Sequence, residues 1–460
     1  MKRNNYIILF CILTTVLWSC ETTFDDPNYS SGTANFTSYV SVGNSLTAGV
    51  QDGALYADGQ LSSFPAQLAQ QFAKTNGGAF KQPLLTGTNG MLGVSPAPSM
   101  ANPLQTLPKR VLSIAVDCLG EAGLSPVLAA TPNPANVDFY TTLIGSQGPF
   151  NNMGIPGIKS WDLTRESLGD PLMPTLANPF YTRIASVPGT STAIDDALLV
   201  SPTFFTLWIG NNDVLGYATS GGAGKVDGLS PNDITSVATF EAAIDAVLLK
   251  LTANGAKGVI LNIPNVTSIP YFTTIPYNGL ELSATEAAGL TAAYAGTGIS
   301  FSEGANAFII EDTTTVLGFR KIKEGEFLLL TLPQDSIKCA GWGSSTPIPM
   351  EFVLDESEIM NISSYTSAYN SKLRSVANAN GLAFADMNSY FKTFETGFVF
   401  NGVDYSTEFV SGGGFSLDGV HPSMRGYGII ANEVIRVINS KYNSTLPLID
   451  VNDLPGIVFP

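Results

Sequence analysis

Histidine is almost missing from this sequence. The 460-residue chain contains one, His421, against 45 glycines and 28 prolines. A single imidazole cannot build the histidine clusters that hold catalytic zinc, which excludes histidine-based metal hydrolysis. Charge is also scarce. Lys, Arg, Asp and Glu make up 13% of the residues, where an average soluble chain carries about 25%. The charge present is mostly acidic, with 22 basic against 38 acidic residues and a formal net charge of −16. No basic block and no alternation of basic with aromatic residues occurs. Nucleic acid is therefore excluded as a natural partner, because phosphate binding needs a positive footprint. The same acidity opposes electrostatic adhesion to anionic lipid. Scarcity of charge does not mean disorder here, since 44% of residues are hydrophobic and 10% aromatic, enough to bury a sizeable core.

Cysteine is rare too. Of four, Cys11 and Cys20 lie near the start, which leaves Cys118 and Cys339, 221 positions apart. Neither has a CxxC partner or a neighbouring histidine, so a cysteine metal site is excluded. In an exported protein the two could form one disulfide. Their separation says nothing of proximity, and two buried free thiols is the preferred reading.

Long apolar runs are absent after the N-terminus. The start reads MKRNNYIILFCILTTVLWSCETTFDD. Lys2 and Arg3 precede an apolar run over residues 6–18, too short for a comfortable membrane span and laid out like an export signal. Leu17-Trp18-Ser19-Cys20 looks like the cleavage and lipidation site of a bacterial lipoprotein. Residues 1–19 are thus expected to be a signal peptide, Cys20 a lipidated residue, and 20–36 a polar tether. Without the signal the side-chain charge is 20 minus 38, or −18. The expected location is the bacterial outer membrane, on its periplasmic or cell-surface side, held by the lipid. Nothing in the sequence indicates oligomeric state.

The remainder alternates between strand and helix patterns. Strands are predicted at 37–43, 110–116, 203–210, 258–265, 326–333 and 382–387. Helices are predicted at 62–77, 239–255 (capped by Thr239), 285–298, 363–381 and 426–442. Residues 151–163, NNMGIPGIKSWDL, read as a glycine-punctuated turn. This rhythm predicts a three-layer α/β/α sandwich with a mostly parallel, flavodoxin-like sheet over 37–445. Residues 78–150 and 300–358 read as insertions, and 446–460 as a tail with at most a short edge strand.

Polar residues cluster just after the strand ends, where such sheets bind ligands. Ser45, in SVGNSLTAG (41–49), follows a strand in a turn that opens a helix, where its hydroxyl and nearby free N–H groups can meet. Gly210-Asn211-Asn212-Asp213 puts a side-chain amide at a second strand end. Asp418-Gly-Val-His421 lets a carboxylate orient an imidazole within one turn, leaving the other ring nitrogen to take a serine proton.

Together these blocks resemble the SGNH hydrolase, or GDSL esterase/lipase, family. The match runs through Gly43-Asn44-Ser45-Leu46, Asn152-Met-Gly154-Ile-Pro-Gly157, Gly210 with Asn212 and Asp213, and Asp418 with His421 and Pro422, in family order. Asn44 stands where the family usually has aspartate. The resemblance implies Ser45 as nucleophile, His421 as general base and acid, and Asp418 as orienting carboxylate. It implies an oxyanion hole from the N–H groups of Ser45 and Gly157 and the amide of Asn212, with Gly154 or a glycine in TGTNG (86–90) as rival donors. No metal and no cofactor is called for. Asp213 is expected to brace a loop, and Asp52, Asp58 and Arg425 to be solvated or loop-bracing.

The implied substrate is a carboxylic ester, lipid-like or with a small acyl group, cleaved through an acyl-enzyme. Tyr271, Phe272 and Tyr277, in loop 269–279, are candidates to line its pocket. An acetylated glycan is the alternative substrate. A two-carboxylate glycosidase is the rival enzyme, although it leaves the serine and histidine without a task. A non-catalytic glycan-binding surface lipoprotein is the rival outside enzymes.

Overall fold

A computed structural model of the chain describes residues 28–86, 90, 108–131, 142–173 and 176–460. The expected signal peptide, Cys20 and most of TGTNG lie outside the described residues. Five parallel strands form the central sheet: β1 (Tyr39–Gly43), β2 (Asn152–Gly154), β3 (Phe204–Trp208), β4 (Lys257–Leu261) and β5 (Ala383–Ala385). Their spatial order is β5-β4-β3-β1-β2. That is the flavodoxin-like order, with its topological switch between β1 and β3. Every residue of β1 and β3 is buried, as expected for strands covered by helices on both faces.

Four long helices supply most of that cover: α1 (Phe64–Ala73), α2 (Val237–Thr252), α3 (Glu356–Ala379) and α4 (Met424–Tyr442). α1 packs with α4, and α2 packs with α3. The architecture is the α/β sandwich predicted from the strand–helix rhythm. Among the described residues no helix is long and apolar enough to cross a membrane.

Several local expectations are corrected. NNMGIPGIKSWDL is not simply a turn, because its first residues form edge strand β2, with Gly43 opposite Gly154. The Asn151 amide donates to the Tyr39 carbonyl and the Asn152 amide to that of Thr47, at 2.8 and 3.1 Å. The strand itself pairs with β1 through backbone hydrogen bonds, and the two asparagine amides pin its start to β1 and to the Ser45–Ala48 helix. Ser236, not Thr239, caps α2, accepting the Thr239 N–H at 3.2 Å. α3 starts before residue 363 because Asp355 and Glu358 form a capping box there. Within 326–333 only Phe327–Leu328 is a strand. The chain then turns, with the Leu330 N–H on the Tyr271 carbonyl. The tail holds a short 3-10 turn, Val451–Asp453, and no strand. Asn432 of α4 holds its backbone at Ile449 through two hydrogen bonds, 2.8 and 2.7 Å.

The two insertions meet. The first contributes an antiparallel hairpin, Arg110–Val116 with Ala122–Leu128. The second has a small core of its own around Phe308, Ile310, Leu328 and Ile348. Cys118 at the hairpin tip is disulfide-bonded to Cys339, with a Cα separation of 6.4 Å. Both cysteines are exposed, which overturns the reading of two buried thiols. Beside them Lys338 pairs with Asp117 at 2.8 Å.

Candidate active site

The site is assembled at the C-terminal edge of β1 and β3. Just past Gly43, Asn44 caps the short helix Ser45–Ala48 by accepting the Leu46 N–H at 3.0 Å. Ser45 is therefore the first helical residue, at the switch point of the sheet. It is 9% exposed.

His421 reaches it from a loop 376 residues away in sequence. Its Nε2 lies 2.9 Å from Ser45 Oγ, and its Nδ1 lies 2.7 Å from Asp418 Oδ2. The histidine side chain is 15% exposed and the aspartate 8%. Asp418 is held on every side. Its Oδ1 accepts the N–H groups of Val420 and His421 and the hydroxyl of Ser416, at 2.8, 2.9 and 3.1 Å. Its Oδ2 also accepts the Gly53 N–H at 2.9 Å. Burial pushes the Asp418 carboxyl up, but the His421 ring and these donors outweigh it and hold it well below the usual carboxylate range. Asp418 therefore stays ionised and fixes the proton of His421 on Nδ1, leaving Nε2 to accept one from the serine.

Three groups are the candidate donors: Ser45 and Asn212 share one cavity, and Gly157 adjoins Ile158, whose carbonyl Asn212 holds. The N–H groups of Ser45 and Gly157 have no hydrogen-bond acceptor among the described residues. Gly157 sits at φ 81°, a left-handed conformation that favours glycine. Gly154 differs, since its N–H is occupied by Asn152 Oδ1 at 2.9 Å. A Cβ on Gly154 would lie 2.2 Å from the Ala48 nitrogen, so that glycine serves the close packing of β2 against the Ser45–Ala48 helix. Asn212 donates one amide hydrogen to the Ile158 carbonyl at 2.8 Å, leaving the second available. Asp213 braces the same turn, accepting the N–H and hydroxyl of Ser160 at 2.9 and 2.7 Å. Complete burial pushes its carboxyl up to about 6 against those hydrogen bonds.

Residues 39–434 match the family model of the GDSL-like lipase/acylhydrolases. The chain belongs to that family. Among curated proteins none matches it.

In this GDSL-family chain Asn44 does more than replace aspartate. Its amide donates to Asn211 Oδ1 at 3.2 Å, joining the serine block to the Gly-Asn-Asn-Asp block. Asp52 accepts the Leu417 N–H and the Tyr56 hydroxyl at 3.1 and 2.7 Å, bracing the loop that carries Asp418 and His421. Arg425 holds the Leu454 carbonyl at 3.0 Å, and Asp58 is exposed. Sequence reasoning missed Asn211, Gly53 and Ser416. Only Asn211, beside Asn212, carried any signal.

A cavity of about 40 Å³ opens at Ser45, walled by Leu46, Leu215, Val266, Ile269, Phe391 and Val420. Tyr271, Phe272 and Tyr277 are not among its walls. Phe272 is fully buried in the main core, Tyr277 packs on the core of the second insertion, and the Tyr271 hydroxyl bonds to Thr219 and Thr331. Among the described residues no group of three His, Cys, Asp or Glu side chains is placed to hold a metal.

Proposed function

We propose that this GDSL-family hydrolase is a serine esterase that cleaves carboxylic esters with a short acyl group through an acyl-enzyme on Ser45. The observation that carries the reading is the unbroken Ser45–His421–Asp418 chain, with links of 2.9 and 2.7 Å. Ser45 Oγ attacks the carbonyl carbon while its proton passes to His421 Nε2. Asp418 steadies the imidazolium. The negative oxygen of the tetrahedral adduct faces the N–H groups of Ser45 and Gly157 and the Asn212 amide. Nε2 returns the proton to the departing alcohol. A water, deprotonated by the same nitrogen, then attacks the acyl-enzyme and frees the acid.

The short acyl group is argued from size. About 40 Å³ of space at Ser45 has room for a few water-sized groups, which favours a short acyl group over a long chain. The test uses a fluorophosphonate probe and an ester panel from acetyl to long acyl, with acetylated glycans included. We expect labelling of the wild type, none of Ser45→Ala, and rates that fall as the acyl chain lengthens. Equal hydrolysis by wild type and Ser45→Ala would remove the nucleophile from the scheme.

We also propose that Cys20 carries a lipid that holds the exported protein to the outer membrane, on the strength of Leu17-Trp18-Ser19-Cys20. Metabolic labelling with a fatty acid that is unchanged by Cys20→Ala would refute this.

A further inference from the structure

A second and much larger cavity, about 640 Å³, lies behind the catalytic loop. That volume is typical of sites for small organic ligands, roughly 300–1,000 Å³. Both insertions build it. The hairpin supplies Arg110 and Pro126, the second insertion Leu330 and Ile337, and the loop itself Leu417 and Asp418. Ser45 is not a wall. Backbone hydrogen bonds join three of the segments around it: the Tyr271 N–H donates to the Gly419 carbonyl and the Leu330 N–H to the Tyr271 carbonyl, both at 2.9 Å. The disulfide between Cys118 and Cys339 ties the hairpin side of this chamber to the opposite side.

The lining is mainly apolar, with one unspent charge. Arg165, Arg320, Arg374 and Arg436 pair with carboxylates, and Arg183 and Arg425 donate to carbonyls. The Arg110 guanidinium alone among the described arginines has no hydrogen-bond or ion-pair partner. It lies over Gly53, where a Cβ would come within 2.2 Å of Nη1. The other cation of the lining, Lys338, is engaged by Asp117 at 2.8 Å. Asp418 does not use up Arg110 either, since its own oxygens are taken by the loop, Gly53 and His421. A free guanidinium in an otherwise negative protein, at the edge of an apolar chamber, complements one kind of molecule. That molecule has a planar anionic head for the guanidinium fork and an aliphatic tail for the walls.

We infer that this chamber is a binding site for a fatty-acid carboxylate, with its head on Arg110 and its chain along Leu330 and Ile337. The site borders the proposed triad only through Asp418, does not include Ser45, and does not depend on Ser45 being a nucleophile. Calorimetric titration of the full chain carrying Ser45→Ala with dodecanoate, below its micelle concentration, tests it. We expect saturable one-to-one binding. Adding Arg110→Ala should weaken dodecanoate about tenfold, the loss of a charge-assisted pair, while dodecanol binds both proteins alike. Gln334 is an exposed wall residue, and Gln334→Glu should weaken dodecanoate in the same way by adding a like charge. If Arg110→Ala does not fold, Gln334→Glu decides alone. No saturable binding to the Ser45→Ala chain would overturn the inference, as would affinity unmoved by the charge changes. A failure of fluorophosphonate labelling would sink the esterase reading and leave this one standing.

Discussion

His421 Nε2 stands 2.9 Å from Ser45 Oγ, and the two residues are 376 positions apart in the chain. The sequence holds no other histidine, so no second imidazole can take over the proton transfer. His421→Ala should lower kcat by about 10⁴-fold or more while thermal unfolding stays cooperative. Steady-state kinetics on a short-chain ester reads this directly. A variant retaining a tenth of the wild-type rate would show that the base is some other group.

Asp418→Asn keeps the shape of the orienting residue and removes its charge. The amide can still accept from the loop N–H groups, but it no longer selects the Nδ1 tautomer. A fall in kcat of about 10⁴-fold with KM nearly unchanged is the expected result. A purely structural role for Asp418 would instead show as a lowered Tm with kcat per folded molecule preserved.

The proposed mechanism has Asn212 act on the transition state rather than on substrate binding. Asn212→Ala should cost about 10²–10³-fold in kcat, with little change in KM. The same change releases the Ile158 carbonyl, which the amide holds at 2.8 Å, so some disorder of the Gly157 turn is expected as well. A loss confined to KM would place Asn212 in substrate binding and outside the oxyanion hole.

Ser45, Asn212, Asp418 and His421 are readable in the sequence for a physical reason. Each follows an apolar strand or a glycine-rich turn, and each carries chemistry that a short local motif can display. The parallel sheet is readable because β3 and β4 are mostly apolar, β3 broken only by Thr206 and β4 begun by Lys257. β2 is not, because it is three residues long and the asparagines at its start leave no apolar pattern to see. Gly53 and Ser416 are invisible for another reason. A backbone N–H and a hydroxyl become supports of Asp418 only once the chain has folded residue 53 against residue 418. The bond between Cys118 and Cys339 is equally hidden, since it depends on two insertions folding toward each other. The size of the cavity at Ser45 is likewise a product of packing, and the aromatic loop 269–279 points its side chains elsewhere.

That disulfide joins two insertions rather than two parts of the sheet. Cys118→Ser with Cys339→Ser should therefore leave fluorophosphonate labelling of Ser45 intact and increase amide hydrogen exchange in residues 110–128. Closing so long a loop is worth about 2–4 kcal/mol in typical proteins, so Tm should also fall. Labelling lost together with the disulfide would mean that the insertions hold the catalytic loop in place.

Asp213 makes stability depend on pH with a definite sign. Its carboxyl titrates near 6 in the folded protein, above the ordinary value of about 3.9 for an unfolded aspartate. Between those values the folded chain binds a proton that the unfolded chain does not. The stabilisation is thus fully present below about pH 4 and is lost as pH rises through 6. The amount is on the order of 3 kcal/mol for a shift of about two pH units. Asp213→Asn removes the titration and keeps an oxygen for the Ser160 N–H. The Tm of the wild type minus that of Asp213→Asn should therefore decline from pH 4 to pH 7. Other carboxyls with raised pKa, such as the half-buried Glu358, are common to both proteins and cancel in this difference. Parallel Tm profiles would mean that Asp213 has an ordinary carboxylate pKa, and the turn that carries Gly157 would then rest on a carboxylate ionised without penalty.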